Sequence, residues 1–145
     1  MTVKQQTYIL GQVYGYIKAV NPDWNFGGAL YPLSYPLNAV TQALLAAVRN
    51  RKIKLDDPYI SSRMACIEPT YEQPVHDVDL QGTFTVGQHH INRDIQRVIA
   101  STGMTQEQIA ERLGVKPLTV GRWFRGEVKC PADKQFEIEL LAWEE

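Results

Sequence analysis

The stretch from Thr105 to Pro131, TQEQIAERLGVKPLTVGRWFRGEVKCP, constrains the chain more tightly than any other, because its start signals, stop signals and apolar spacing agree. Thr105 suits a helix N-cap, with Gln108 three residues on to reach back to it, and Ile109, Ala110 and Leu113 then fall on one helical face. Gly114 ends that helix. Val115 is placed to plug the turn into a core, Pro117 suits the first turn of a second helix, and Val120, Trp123 and Phe124 supply that helix's buried side. The spacing therefore predicts two short helices joined by a tight turn.

Around this pair the chain reads as helical throughout. Ile9, Val13, Tyr16, Ile17 and Val20 recur at three and four residues, predicting an amphipathic helix from about 3 to 20 that Asn21-Pro22 stops. Gly11 and Gly15 sit four apart within it. Each costs about 1 kcal/mol of helix stability against alanine, so they mark either a close approach of another backbone or simple tolerance. Pro36 opens a second helix carrying Leu37, Val40, Leu44, Leu45, Ala47 and Val48. Arg49, Arg51, Lys52 and Lys54 follow it, as dipole-complementing surface cations or as a phosphate-binding edge. A shorter helical segment spans 58–67, and the stretch EPTYEQPVHDVDL, with two prolines and no helical period, is expected to separate two domains. In QGTFTVGQHH, Phe84 and Val86 alternate between glycines, so that segment is either extended or leads into a helix begun by His89 and His90. Ile91, Ile95, Val98 and Ile99 mark a helix from about 91 to 101, and Phe136, Ile138, Leu140, Leu141 and Trp143 a last one. The expectation is an all-α protein with a small helical bundle at 1–80 for interaction or dimerisation and a four-helix domain at 81–145.

The central motif also carries a resemblance. QEQIAERLGV, then TV, RW, RGE and Pro131, resembles the helix-turn-helix of phage-repressor-type (XRE, lambda-repressor-like) DNA-binding domains over about sixty residues. The resemblance implies that the helix beginning near Lys116 lies in a DNA major groove. Lys116, Leu118, Thr119 and Arg122 match the family's base-reading positions, Gln106 matches a phosphate-contacting or supporting position, and Arg125 and Lys129 would approach the backbone. The family often has a small hydroxyl residue where Lys116 and Gly121 stand, and Glu where Phe124 stands. Those departures bear on the sequence read and on the pairing that would orient Arg122 or Arg125.

The formal charge of −1 is uneven along the chain. From 89 to 132 there are seven basic and four acidic residues; from 133 to 145 there are one and five; the first 88 residues balance at seven each. DNA binding would thus rest on local charge and weaken as salt rises. No apolar run is long enough for a membrane span, and MTVKQQTYILG has no leader pattern, so a cytoplasmic location without membrane contact is expected. Cys66 and Cys130 match no metal or redox spacing and are expected as free thiols. His76, His89 and His90 lack the further ligands a metal site needs and are expected at the surface. No metal or cofactor is expected. A phosphate-cradling glycine loop, HExxH and a nucleophile elbow are all missing from the sequence, so an enzyme is not expected.

A second resemblance lies in the N-terminal half. TYILGQVYGYIKAVNP, PLNAVTQALLAAVRNRKIKL and QGTFTVGQHH resemble the small-subunit-like C-terminal part of the large subunit of type I-C CRISPR effector complexes. Tyr8 to Gly11, Pro36 to Val48 and Phe84 to His89 stand in the matching places, with Gln88 where that family has tyrosine. The two resemblances together imply an operator-binding transcriptional autorepressor, homodimeric on an inverted repeat, or alternatively a phage-encoded anti-CRISPR that binds or mimics part of the effector while its helix-turn-helix controls its own promoter. Trp24, Phe26, Tyr31 and Tyr35, on an aromatic, Gly- and Pro-containing connection, are candidates either for core packing or for a partner interface.

Overall fold

The computed structural model describes residues 1–24 and 30–144, and among these it is helical, with no strand. The elements are α1 (Val3–Val20), α2 (Leu30–Ser34), α3 (Pro36–Arg49), α4 (Pro58–Met64), α5 (Val78–Gln88), α6 (Ile95–Ser101), α7 (Gln106–Leu113), α8 (Pro117–Arg125) and α9 (Ala132–Leu141). They form two compact units, Met1–Ile91 and Asn92–Glu145. The boundary expected between 80 and 81 lies within α5, which belongs to the first unit.

In the first unit α1 is the centre, with α3, α4 and α5 packed against it and α2 against α3 and α5. Every residue from Gln6 to Tyr14 is buried. The helix is therefore enclosed, where its spacing predicted a single apolar stripe. Enclosure requires its polar side chains to be satisfied, and they are. The Gln6 side-chain oxygen accepts the Glu68 N–H at 2.9 Å. Thr7 shares a 2.8 Å hydrogen bond with the Tyr71 hydroxyl. Gln12 donates to the His90 carbonyl at 3.1 Å and accepts from Arg63 Nε at 3.2 Å.

The glycines explain how α5 comes so close. A Cβ on Gly11 would overlap the Phe84 carbonyl, one on Gly15 the Gln88 carbonyl, and one on Gly87 the Tyr8 carbonyl. The two backbones meet with no side chain between them. Residues 78–88 are thus helical, started by the Asp77 carboxylate, which accepts the Asp79 N–H at 2.8 Å. His89 caps the end of that helix and begins none. His90 is not a surface histidine either: half-buried, it places Nδ1 3.1 Å from the Tyr8 hydroxyl.

The proline-containing segment before α5 is also part of this unit. Tyr71 is buried, Val75 N–H donates to the Ser34 carbonyl at 2.7 Å, and the Gln73 side-chain oxygen accepts the Leu37 and Asn38 N–H groups at 2.9 and 3.2 Å. Gln73 so caps α3, whose own N-cap residue, Tyr35, makes no side-chain cap bond.

The second unit is built on Val98, Ile99, Ile109, Ala110, Val120, Trp123, Cys130 and Ile138, with Phe124 and Val115 packed at its edge. Asp94 caps α6 through the Arg97 N–H at 3.0 Å, which starts that helix at Ile95 and leaves Ile91 outside it. Cys130 is buried, and burial, with the Asp133 charge second, pushes its thiol up to about 11 from an ordinary 9.0. Cys66 is pushed up by burial, opposed by Arg63 and the chain's N-terminal ammonium.

Two expected outcomes test these packings. Gly11→Ala should destabilise the first unit by about 3 kcal/mol or more through backbone overlap, while Gly82→Ala, in the same unit with open space around it, should stabilise α5 by about 0.5–1 kcal/mol. Amide hydrogen exchange of α1 and α5 reads both, and loss of protection in both variants would show that the close approach is not what distinguishes Gly11. For Cys130 the protonated thiol is the form the fold favours. Its contribution should be intact below 9.0 and be lost as pH rises through about 11. Alkylation at about pH 8 should accordingly be far slower in the native chain than in denaturant.

Candidate nucleic-acid interface

The site is assembled by two helix starts and two helix stops. At the start of α7, Thr105 Oγ1 accepts the Gln108 N–H at 3.1 Å and the Gln108 side chain accepts the Thr105 N–H at 2.9 Å, a complete capping box. At its end Gly114 takes φ 71°, and the Val115 N–H turns back to the Ala110 carbonyl at 3.0 Å. That stop throws the chain into α8. Lys116 is the N-cap of α8 and Pro117 its first residue, so one unsatisfied N–H is absent from the outset. Gly126, at φ 75°, closes α8 in the same left-handed manner, with the Glu127 N–H on the Arg122 carbonyl at 3.0 Å.

These constraints fix which side chains face out. Val120 and Trp123 are buried at 0% and 4% exposure. Lys116, Arg122, Arg125 and Lys129 are exposed, Leu118 is 58% exposed despite being apolar, and Thr119 and Gln106 are half-buried.

An open groove runs between the start of α7, with Thr105, Gln106 and the acidic Glu107, and one side of α8, with Pro117, Leu118, Gly121 and Arg125. Gly121 is its floor. The place a Cβ would occupy there is 3.0 Å from Gln106 Oε1 and 3.1 Å from Arg125 Nη1. Glycine at 121 thus lets a polar side chain of α7 and a cation of α8 converge, where a hydroxyl residue would push them apart.

The sequence left open which group orients an arginine once Phe124 replaces the expected glutamate. Phe124 packs on the core, and Glu127 takes that place: its Oε2 accepts from Arg125 Nε at 3.2 Å and Nη2 at 2.9 Å. The left-handed turn at Gly126 brings position 127 back beside 125, a signal present in Arg-Gly-Glu but legible only with the turn geometry. Gln96 was also missed; its Nε2 donates to the Phe124 carbonyl at 2.9 Å and so supports the end of α8 from α6.

Elsewhere, Tyr31 and Tyr35 stack at 5.2 Å between ring centroids with Tyr31 39% exposed, and Trp24 is half-buried. Phe26 lies outside the described residues. Among the described residues no three His, Cys, Asp or Glu side chains gather as metal ligands, and no helix is long and apolar enough to cross a membrane.

Comparison with known proteins agrees with the geometry. Residues 95–135 match the helix-turn-helix family HTH_3, a span from the start of α6 into α9 that covers none of the first unit. No curated protein and no solved structure matched the chain. Residues 95–135, within the second unit, thus carry a helix-turn-helix similar to that family, whose domains are DNA-binding and regulatory.

Proposed function

We propose that the chain is a sequence-specific double-stranded-DNA-binding protein that represses transcription, its own gene's included, through the second unit. The observation that supports this best is the division of α8, with Val120 and Trp123 buried on one side and Lys116, Leu118 and Arg122 exposed on the other. In this reading Lys116, Leu118, Thr119 and Arg122 meet base edges in the major groove, and Gln106, Arg125 and Lys129 hold phosphates. The protein acts as a two-fold dimer on an inverted repeat, with half-sites about 10 base pairs apart or a multiple of that.

A second reading gives the first unit a protein partner as well. The exposed Tyr31, stacked on the half-buried Tyr35, favours it, since rigid aromatic side chains supply contact area at small entropic cost. The partner is a type I CRISPR effector complex, which the first unit binds or mimics while the helix-turn-helix controls the promoter.

Selection of binding sites from randomised duplexes tests the first reading. Arg122→Ala should lose about 1–3 kcal/mol of discrimination at its base while leaving the thermal transition nearly unchanged, because the side chain is exposed. An unaltered preference would remove Arg122 from base reading. Glu127→Gln frees Arg125 and deletes a negative charge close to DNA, so affinity at low salt should rise several-fold, about 1 kcal/mol; a fall would mean that Glu127 holds Arg125 in its binding posture. For the second reading, the full chain is mixed with a purified type I-C complex, and Tyr31→Ala with Tyr35→Ala should abolish association that Arg122→Ala leaves intact. Absence of both association and loss of interference would end it.

A further inference from the structure

The turn that closes α3 carries four cations within six residues, Arg49, Arg51, Lys52 and Lys54, and all four are exposed. Among the described residues none of them joins an ion pair. Ion pairs elsewhere join the N-terminus to Glu68, Arg112 to Glu144, Arg125 to Glu127 and Lys134 to Glu137. Asp57, close by in sequence, is already committed, accepting from the Tyr16 hydroxyl at 3.0 Å and capping α4 through the Tyr59 and Ile60 N–H groups.

This is an ordered turn, unlike a solvated basic tail. The Lys52 N–H returns to the Ala47 carbonyl at 2.9 Å and the Arg51 N–H to the Val48 carbonyl at 3.0 Å, the paired bonds of a left-handed helix stop. Ile53 is 8% exposed, so the chain is pinned between Lys52 and Lys54. Arg51 sits at φ 59°, where glycine would avoid the steric cost that any Cβ carries. The α3 dipole accounts for Arg49, in the last turn, while Arg51, Lys52 and Lys54 lie past the helix. What remains is a pre-ordered set of like charges that joins no ion pair among the described residues and outnumbers the one exposed acid beside it, Asp56.

We propose that this turn is a second, sequence-independent DNA contact, in which Arg49, Arg51, Lys52 and Lys54 neutralise phosphates of duplex DNA. Duplex DNA offers closely spaced phosphates, and a duplex held by the second unit presents phosphates to the tethered first unit at high effective concentration. The proposal rests on the DNA-binding reading of the second unit. It differs from that reading in predicting affinity without sequence preference.

The test is the salt dependence of binding of the full chain to a fluorescent duplex of about 30 random base pairs, where each phosphate neutralised contributes about 0.9 to the slope of log affinity against log salt. Replacing all four, Arg49→Gln, Arg51→Gly, Lys52→Gln and Lys54→Gln, should lower the slope by about 2–4 and low-salt affinity about ten-fold or more. Lys52→Gln with Lys54→Gln alone, which leaves the left-handed residue untouched, should lower the slope by about 1–2. Site selection by either variant should return the sequence preference of the unaltered chain. A slope unchanged in both variants, while Arg122→Ala still loses preference, overturns the second contact and leaves the helix-turn-helix reading standing. Failure of the unaltered chain to bind any duplex overturns both. A slope change seen with single-stranded RNA but not with duplex DNA also overturns the proposal, assigning the turn to RNA.

Discussion

Between α1 and α5 there is no room for a Cβ atom at Gly11, Gly15 or Gly87, and the first unit is arranged around that fact. Helices ordinarily pack through interdigitated side chains at 8–10 Å between axes. Removing the side chains at the crossing lets the backbones touch and puts α1 deep enough for α3 and α4 to close on its other sides. Burying α1 from Gln6 to Tyr14 gains the transfer of Tyr8, Ile9, Leu10 and Val13 from water, about 1.5–3 kcal/mol for a typical large apolar side chain. It also removes Gln6, Thr7 and Gln12 from water, a cost offset by hydrogen bonds with loop groups as distant in sequence as Glu68, Tyr71 and His90. The segment after α4 is therefore held by the polar side chains of α1, which is why it behaves as part of the core unit.

The second unit reaches its shape by different means. Its four helices are short, seven to ten residues, too short to be stable alone in water. Their ends are fixed instead by local devices: Asp94 and the Thr105–Gln108 box at starts, Gly114 and Gly126 in left-handed conformation at stops. With both ends of α8 fixed and Val120 and Trp123 committed to the core, the rotation of that helix about its axis has one solution. The exposed set Lys116, Leu118 and Arg122 follows from burial on the opposite face.

This difference decides what the sequence could disclose. Local devices are written in adjacent residues, so the Thr105–Gln108 box, the Gly114 stop and the Pro117 start of α8 were legible, as was the burial of Val120 and Trp123, while the Gly126 stop was not named. The close approach at Gly11 and Gly15 was legible only as one of two alternatives, because the partner backbone is some seventy residues away. The enclosure of α1 was not legible: three packed neighbours turn an apparent stripe into a buried cylinder, and helical spacing records only one of them. The same holds for 68–77, whose prolines and polar residues look like a linker until Gln73 is found capping α3 and Tyr71 bonding Thr7. In the site itself, Gly121 was noticed as a departure, but its use as open space between Gln106 and Arg125 needed coordinates. The pairing of Arg125 with Glu127 was hidden by the turn that brings them together.

Charge ties the two units to one argument. A chain with a formal charge of −1 has a weak long-range field, so DNA is not drawn to it from afar as it is to strongly basic proteins. Attraction is then confined to a Debye length, about 8–10 Å at ordinary salt, and only cations already close to phosphate contribute. Under that limit placement matters more than number. Arg125, restrained by Glu127 beside Gly121, and Arg51, held past the end of α3 in a left-handed turn, are both cations whose backbone setting is fixed before any anion arrives. Fixed cations add affinity that is the same for every sequence, so with a weak field the choice of where the protein binds falls to base contacts.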